Sequence, residues 1–253
     1  MRVCALIPVY NNRGTIGDVV RRCRAVLEPD VMVVSDGSTD GSDQIAYEAG
    51  ARMILIPRNQ GKGAAILRGL REALDLGYTH AIVLDADGQH LPEEIPRLLD
   101  GIWDEPDHLW VCVRKMEARN TPAASRRGRT ISNFWTTLNG WQRCRDAQSG
   151  FRCYPISKTL SLGCRETGFA FEMEVLVRAS WAGVRISHLD VNVIYPKRSE
   201  DRVTHFDPVK DNARASWVSF KMFWTMVFMS PVIAYNRFWA ARHRGPSILF
   251  PKA

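Results

Sequence analysis

The chain has 253 residues, 45% hydrophobic and 24% charged, a balance that excludes a disordered chain and suits one large domain, or one domain with an appendage. Its formal net charge of +7 is concentrated: nine Lys/Arg stand against two Asp/Glu between residues 114 and 152, and ten against four from Pro196 onward, so anionic partners are expected. The six cysteines form no CxxC pair and no regular framework, and Met1-Arg2 lead directly into VCALIPVY without a cleavable leader pattern, so a reduced cytosolic setting is expected.

The first 115 residues alternate strand and helix signals. VCALIPV (3–9) is a short apolar run, and a helical pattern follows from about Ile16 to Leu27. VMVVS (31–35), RMILIP (52–57), AIVLD (81–85) and LWVCV (109–113) are further runs. Continuous apolar stretches predict strands buried on both faces. The βαβα order predicts a mostly parallel sheet flanked by helices. From about Lys115 the composition changes. Residues 114–130 are polar and Arg-rich, SNFWTTLNGWQ reads as helix, QSGFRCYP as a turn and short strand, residues 167–183 as helix and 184–196 as strand. WVSFKMFWTMVFMSPVIAYNRFW (217–239) is apolar and aromatic, but Lys221 and Pro231 break the ~20 uninterrupted apolar residues that a spanning helix needs. With Arg237, Arg242 and Arg244 it reads as an amphipathic segment lying in a membrane interface. A helix pair packed on the core, or on a second copy in a homo-oligomer, is the alternative.

Ligands of such sheets bind beyond the carboxyl ends of the strands. Four polar loops therefore converge on one rim: Pro8-Tyr10-Asn11-Asn12, Asp36-Gly37-Ser38-Thr39-Asp40, Asn59-Gln60-Gly61-Lys62-Gly63, and Asp85-Ala86-Asp87-Gly88-Gln89. Asp85, Asp87 and Gln89 offer the hard oxygen ligands that Mg²⁺ and Mn²⁺ prefer, and helix capping would explain one aspartate but not the set. Asp36 can accept from a base N–H or a ribose hydroxyl, or cap the helix that follows. Lys62, between two glycines, supplies a point charge for a phosphate, although the Walker spacing is absent.

The segments LIPVYNN, VVSDGSTDGS, NQGKGAAILRGL, VLDADGQH and DAQSGFRCYP resemble, in order and spacing, family 2 inverting glycosyltransferases of the GT-A fold, most closely the polyprenyl-phosphate (dolichol-phosphate) sugar transferases. The resemblance covers roughly residues 3–195. It implies an α/β GT-A domain over 1–195, with a nucleotide-sugar half (1–115) and an acceptor half (116–195). Residues 196–253 are then a basic, aromatic-rich acceptor loop and a membrane-associating helical extension. It also implies that Asp85, Ala86, Asp87 and Gln89 carry the metal and nucleotide diphosphate, and that Pro8, Tyr10, Asn12 and Asp36 hold the nucleoside. Asp146, Ser149 and Arg152 match the family's Asp-x-x-Ser-Gly-Phe-Arg, where Ser and Arg approach the acceptor phosphate, and Arg126 or Arg127 matches another phosphate-binding arginine. The chain departs from the pattern in Ser35-Asp36-Gly37-Ser38, which has lost one aspartate. It departs again in KRSEDRVTHFDPVKD (197–211), where Arg202, His205 and Lys210 replace the usual acceptor loop.

The expected activity is metal-dependent sugar transfer, with Mg²⁺ or Mn²⁺, from a nucleotide-diphosphate sugar to a membrane-associated acceptor, a polyprenyl phosphate first and a lipid or glycan hydroxyl second. With a hydroxyl acceptor Asp146 is the base candidate. The place expected for the enzyme is the cytoplasmic face of an anionic membrane. A nucleotidyltransferase would need a basic loop after the first strand, where PVYNNRGT has only Arg13, and a nucleic-acid-binding protein would need neither the metal loop nor a sugar nucleotide.

Overall fold

The computed structural model describes residues 1–27, 30–115, 123–194 and 210–243. Seven strands form one sheet: β1 (Val3–Val9), β2 (Val31–Asp36), β3 (Arg52–Ile56), β4 (His80–Val83), β5 (Leu109–Arg114), β6 (Arg152–Pro155) and β7 (Ile186–Val191). Their order is β3-β2-β1-β4-β6-β5-β7. The β1–β2, β1–β4, β2–β3 and β5–β7 pairs are parallel, whereas β6 runs antiparallel to both β4 and β5. The sheet is thus mostly parallel, as the alternating pattern predicts, with one reversed strand that carries the second half of the chain into the middle of the first.

Helices α1 (Ile16–Leu27), α2 (Ser42–Glu48), α3 (Lys62–Asp75) and α4 (Ile95–Asp104) follow the first four strands. After β5 come α5 (Ala123–Gly140), α6 (Ile156–Ser161), α7 (Phe171–Trp181) and α8 (Lys210–His243). Strand pleating splits the core in two. Cys4 and Leu6 of β1 point into the layer containing Ile66 and Leu70 of α3 and Phe171 and Val175 of α7. Ala5, Ile7 and Val9 point into the layer of Ile16 and Val20 of α1 and Leu98 and Ile102 of α4. Central β1 is buried throughout, which explains its unbroken apolar run. Edge strand β3 is not, and Arg52 and Leu55 face solvent.

Two further expectations change. Helix α5 begins within the polar, Arg-rich stretch, ahead of SNFWTTLNGWQ where the helix was expected to start. The apolar C-terminal segment is one continuous helix with Pro231 inside it, not a pair. Its span Ala213–Trp239 is long and apolar enough to cross a membrane by length and composition, so Lys221 and Pro231 do not interrupt it as expected. One face, however, packs on the protein: Val218, Met222, Met226 and Ile233 are buried against Met173, Val177 and Trp181 of α7.

Candidate active site

The four polar loops do meet. A cleft of about 450 Å³ opens at the carboxyl ends of the strands, lined by Pro8, Val9, Tyr10 and Asn12 after β1, Asp36 at the end of β2, Asn59, Gly61, Lys62 and Ala65, and Asp85, Ala86 and Asp87 after β4. Gly168, Phe169 and Asp211 complete the wall.

The loops are clipped to one another by backbone hydrogen bonds. Asn11, at a left-handed φ of 49°, accepts the Thr39 N–H on its side chain at 2.8 Å and donates its own N–H to Ser38 Oγ at 3.1 Å. The Asn12 N–H reaches Ser42 Oγ at 2.9 Å, and Thr15 Oγ1 donates to the Ala86 carbonyl at 2.6 Å. Asp36 accepts the N–H groups of Gln60 and Gly61 at 2.8 and 2.7 Å, one on each carboxylate oxygen. Asp36, expected to hold the nucleoside, therefore already fastens the second loop to the third, although each oxygen keeps a further lone pair toward the cleft it lines. Gly61 has φ of 101°, and a Cβ there would lie 2.4 Å from the Thr167 carbonyl oxygen, so only glycine permits this approach before α3 starts.

Charge is packed tightly behind the opening. The Lys62 ammonium lies 2.5 Å from Asp85 Oδ1 and 2.6 Å from Glu172 Oε1. Burial alone would lower the Lys62 pKa, but the two carboxylates raise it above its ordinary value. Burial would raise Asp85, yet Lys62 and then His90 hold it below the usual carboxylate range. Asp87 has no such ion-pair partner among the described residues, and burial and the neighbouring Asp85 push it up to about 6. His90 Nε2 is 3.8 Å from Asp85 Oδ2, and burial holds the imidazole down to about 4, so it is neutral at physiological pH.

These residues fit a divalent cation. Asp85 and Asp87 form a repulsive pair that a hard cation would relieve. Among the described residues no cluster of three or more His, Cys, Asp or Glu could hold a metal by itself. Two carboxylates completed by phosphate oxygens are what Mg²⁺ usually takes. Gln89, the third expected ligand, engages through its backbone: its N–H goes to Asp87 Oδ1 at 2.9 Å and its carbonyl accepts from Ile194.

The expected acceptor residues lie elsewhere. Arg152 is wholly buried, and its guanidinium donates to the carbonyls of Ser149, Ala147 and Glu172 at 2.7, 2.8 and 2.6 Å. In this placement it braces the 147–149 turn against α7, where the family resemblance implied that it meets the acceptor phosphate. Ser149 is buried, and its Oγ accepts the Phe151 N–H. Asp146 is buried too, with both oxygens taken at 2.9 Å by the Arg114 guanidinium, which holds the carboxyl below its ordinary range against the effect of burial. A carboxylate so paired is a poor proton acceptor. None of the three lines the cleft. Arg126 and Arg127 are exposed near the start of α5, and Arg202 and His205 lie outside the described residues.

Sequence reasoning missed Glu172 as the partner of Lys62, and Gly168, Phe169 and Asp211 as cleft wall. It also missed Arg114 as the partner of Asp146. Only Arg114 had a local signal, its position at the carboxyl end of a strand. The others reach the site through helix packing.

The glycosyl transferase family 2 model matches residues 4–164. Glycosyltransferase AglJ of Haloferax volcanii is 29% identical over 214 residues, covering 83% of this chain and 68% of that protein. A UDP-N-acetylglucosamine–dolichyl-phosphate N-acetylglucosaminyltransferase of Methanococcus voltae is 27% identical over 246 residues, covering 88% and 94%. Polyprenol monophosphomannose synthase of Mycolicibacterium smegmatis is 29% identical over 214 residues, covering 78% of each. Among solved structures, glucosyl-3-phosphoglycerate synthase of Mycobacterium tuberculosis superposes with a TM-score of 0.65 at 18% identity, covering 88% of this chain and 80% of that one. The same enzyme has been solved with Mg²⁺ and UDP. At that identity the likeness establishes a GT-A-like fold. With the family match spanning well over half its length, the chain belongs to glycosyl transferase family 2 and is a glycosyltransferase.

Proposed function

We propose that the enzyme moves a sugar from a nucleotide-diphosphate sugar to a polyprenyl phosphate in one inverting displacement that depends on Mg²⁺ or Mn²⁺. The observation that carries this reading is the cleft itself, where Asp85, Asp87 and Lys62 stand together between four interlocked loops. Pro8, Tyr10, Asn12 and Asp36 would enclose the nucleoside at the β1–β2 end. Asp87 and Asp85 would hold the metal, which when bound supplies the positive charge that stabilises the departing diphosphate. Lys62 adds a second cation on the same side. A phosphate monoester oxygen is already anionic near neutral pH, so the acceptor needs no base, which agrees with the absence of a free carboxylate at Asp146. The acceptor class follows the activities for which the dolichyl-phosphate and polyprenol relatives are named.

The acceptor would approach from the α5 and α8 side. Arg126 and Arg127 are exposed on α5, and Arg129 of the same helix reaches the Arg114 carbonyl at 3.0 Å, tying this basic end to the close of β5. Ile131, Phe134 and Leu138 of α5, Trp141 just after it, and Trp217, Phe220, Trp224, Phe228, Tyr235 and Phe238 of α8 are all exposed. Phe134, Trp135, Phe223 and Trp224 touch in sequence, which joins the two stripes into one aromatic surface. Such a surface suits a membrane interface, with the packed face of α8 arguing against a spanning helix. On this reading residues 1–195 are the catalytic domain, with the donor half (1–115) and acceptor half (116–195) meeting at β6, and 196–253 serve acceptor and membrane at its cytoplasmic face.

The test is a screen of nucleotide sugars for Mn²⁺-dependent thermal stabilisation of the full chain, followed by transfer to a short polyprenyl phosphate and assignment of the product anomer. One donor that stabilises only with metal, and a product of inverted configuration, support the proposal. Stabilisation indifferent to metal would defeat the metal assignment, and a retained anomer would defeat single displacement.

A further inference from the structure

Lys62 is held by two carboxylates where one would neutralise it. Its backbone is fixed on both sides. Gly61 lies against Thr167, Ala64 N–H donates to the Thr167 carbonyl at 3.1 Å, and a Cβ on Gly63 would come 2.5 Å from Phe171. The two anions are fixed as well. Glu172 sits in the first turn of α7, 6% exposed, with its carbonyl bound by Arg152 at 2.6 Å. Asp85 backs onto Gly150, where a Cβ would come within 2.1 Å of its carboxylate. The part with freedom is the lysine side chain, whose ammonium lies over Phe169, 5.8 Å from the ring centroid, at the cleft wall.

Charge sharpens the point. Asp85 and Glu172 around one ammonium leave one negative charge in surplus and ionised Asp87 adds a second, while Asp146 beside them is met by both Arg114 and Arg129. A cation suits that local anionic surplus. It must also compete for Asp85 with an ammonium at contact distance.

We propose that Lys62 is an exchangeable cation, which a divalent ion displaces from Asp85 and which Glu172 then keeps at the cleft wall, facing the donor's diphosphate. Glu172 is accordingly a positioning residue that acts through Lys62. This rests on the metal reading above, and deepens it by giving the lysine two stations. With Glu172 present, an ammonium leaving Asp85 retains a carboxylate partner. Without Glu172, Asp85 is its remaining anion and the exchange becomes unfavourable.

Mn²⁺ binding to the full chain, without nucleotide or acceptor, tests this by the electron paramagnetic resonance signal of free Mn²⁺. The proteins are wild type, Glu172→Gln, Lys62→Met and the double variant, with melting temperatures read alongside. An opposite charge within contact range changes a carboxylate's affinity for a cation by about tenfold or more. The double variant should therefore bind Mn²⁺ about tenfold more tightly than wild type, and Glu172→Gln alone several-fold more weakly. The effect of Glu172→Gln should vanish in the Lys62→Met background, because it acts through the lysine. The double variant carries the test if Lys62→Met alone fails to fold, since it removes the Glu172 charge together with the ammonium and leaves one carboxylate, Asp85 at the cleft, without its cation in place of two. Equal affinity in wild type and double variant, or an undiminished Glu172→Gln effect without Lys62, overturns the exchange and leaves the metal site standing. No Mn²⁺ binding by any of the four overturns both.

Discussion

Gly150 lies directly behind Asp85: a Cβ at residue 150 would fall 2.1 Å from one carboxylate oxygen and 2.4 Å from the carboxyl carbon. The glycine comes from the turn before β6, whose Arg152 pairs with Val83 at the end of β4, so the antiparallel strand delivers it to this point. Residues that resemble an acceptor motif in the sequence therefore back the Asp85 carboxylate of the cleft. Gly150→Ala should push the Asp85 carboxylate off its position and weaken Mn²⁺-dependent nucleotide binding by at least about tenfold, or about 1.4 kcal/mol. Calorimetric titration of the nucleotide with Mn²⁺ measures this, and unchanged affinity would show that Asp85 does not hold the metal.

Asp87 should link metal, pH and stability. Its carboxyl titrates at about 6 in the fold against an ordinary value of 3.8, so the folded chain binds more protons than the unfolded chain between those values. Its ionised form therefore costs stability at neutral pH, and this cost is relieved as pH falls from about 6 to the ordinary value of 3.8. Asp87→Asn should raise the melting temperature of the metal-free protein at pH 7.5, at roughly 2–4 °C per kcal/mol relieved, with the gain disappearing below about pH 4. The same variant should lose transfer. In the wild type, metal-dependent binding should decline below about pH 6. Melting curves in chelator across this range decide the matter, and a variant less stable at pH 7.5 would contradict the assignment.

Arg152→Lys should act on the fold. Each charge-assisted bond lost from the buried guanidinium costs roughly 1.5–3 kcal/mol. Melting temperature, nucleotide binding and transfer should fall together. A normal melting temperature with a selective loss of acceptor saturation would restore Arg152 to the acceptor site.

The aromatic surface of α5 and α8 should bind membranes peripherally. Phe134→Ser with Phe228→Ser removes two exposed rings, 60% and 79% accessible, without touching the buried face of α8. Flotation with vesicles containing anionic lipid should drop several-fold while the melting temperature holds. Equal flotation of variant and wild type would assign this surface to something other than lipid.

The cleft was readable in the sequence because its first four loops each follow a strand, and parallel strands put such loops on one edge. Asp36, Lys62, Asp85 and Asp87 all arrive where that rule sends them. The resemblance implied that Arg152 meets an acceptor phosphate, whereas in the fold its guanidinium is buried on the carbonyls of Ala147, Ser149 and Glu172, a set of partners that α7 completes from 20 residues away. The Lys62–Glu172 pair joins residues 110 positions apart through the packing of α3 on α7, which leaves no local pattern. Pro231 interrupts the apolar run in the sequence, yet one missing N–H does not end a helix packed against α5 and α7. Lys221 stays compatible with the apolar segment by reaching Glu166 at 3.4 Å.

The most direct test of the central claim is the product of transfer with two acceptors that differ in one group, a polyprenyl phosphate and the corresponding polyprenol. Each is incubated with the full chain, Mn²⁺ and the nucleotide sugar found to stabilise it, and the lipids are weighed by mass spectrometry. The account predicts a lipid heavier by one anhydro-sugar from the phosphate alone, and no product with Asp87→Ala. A glycosylated polyprenol with the phosphate untouched would contradict it.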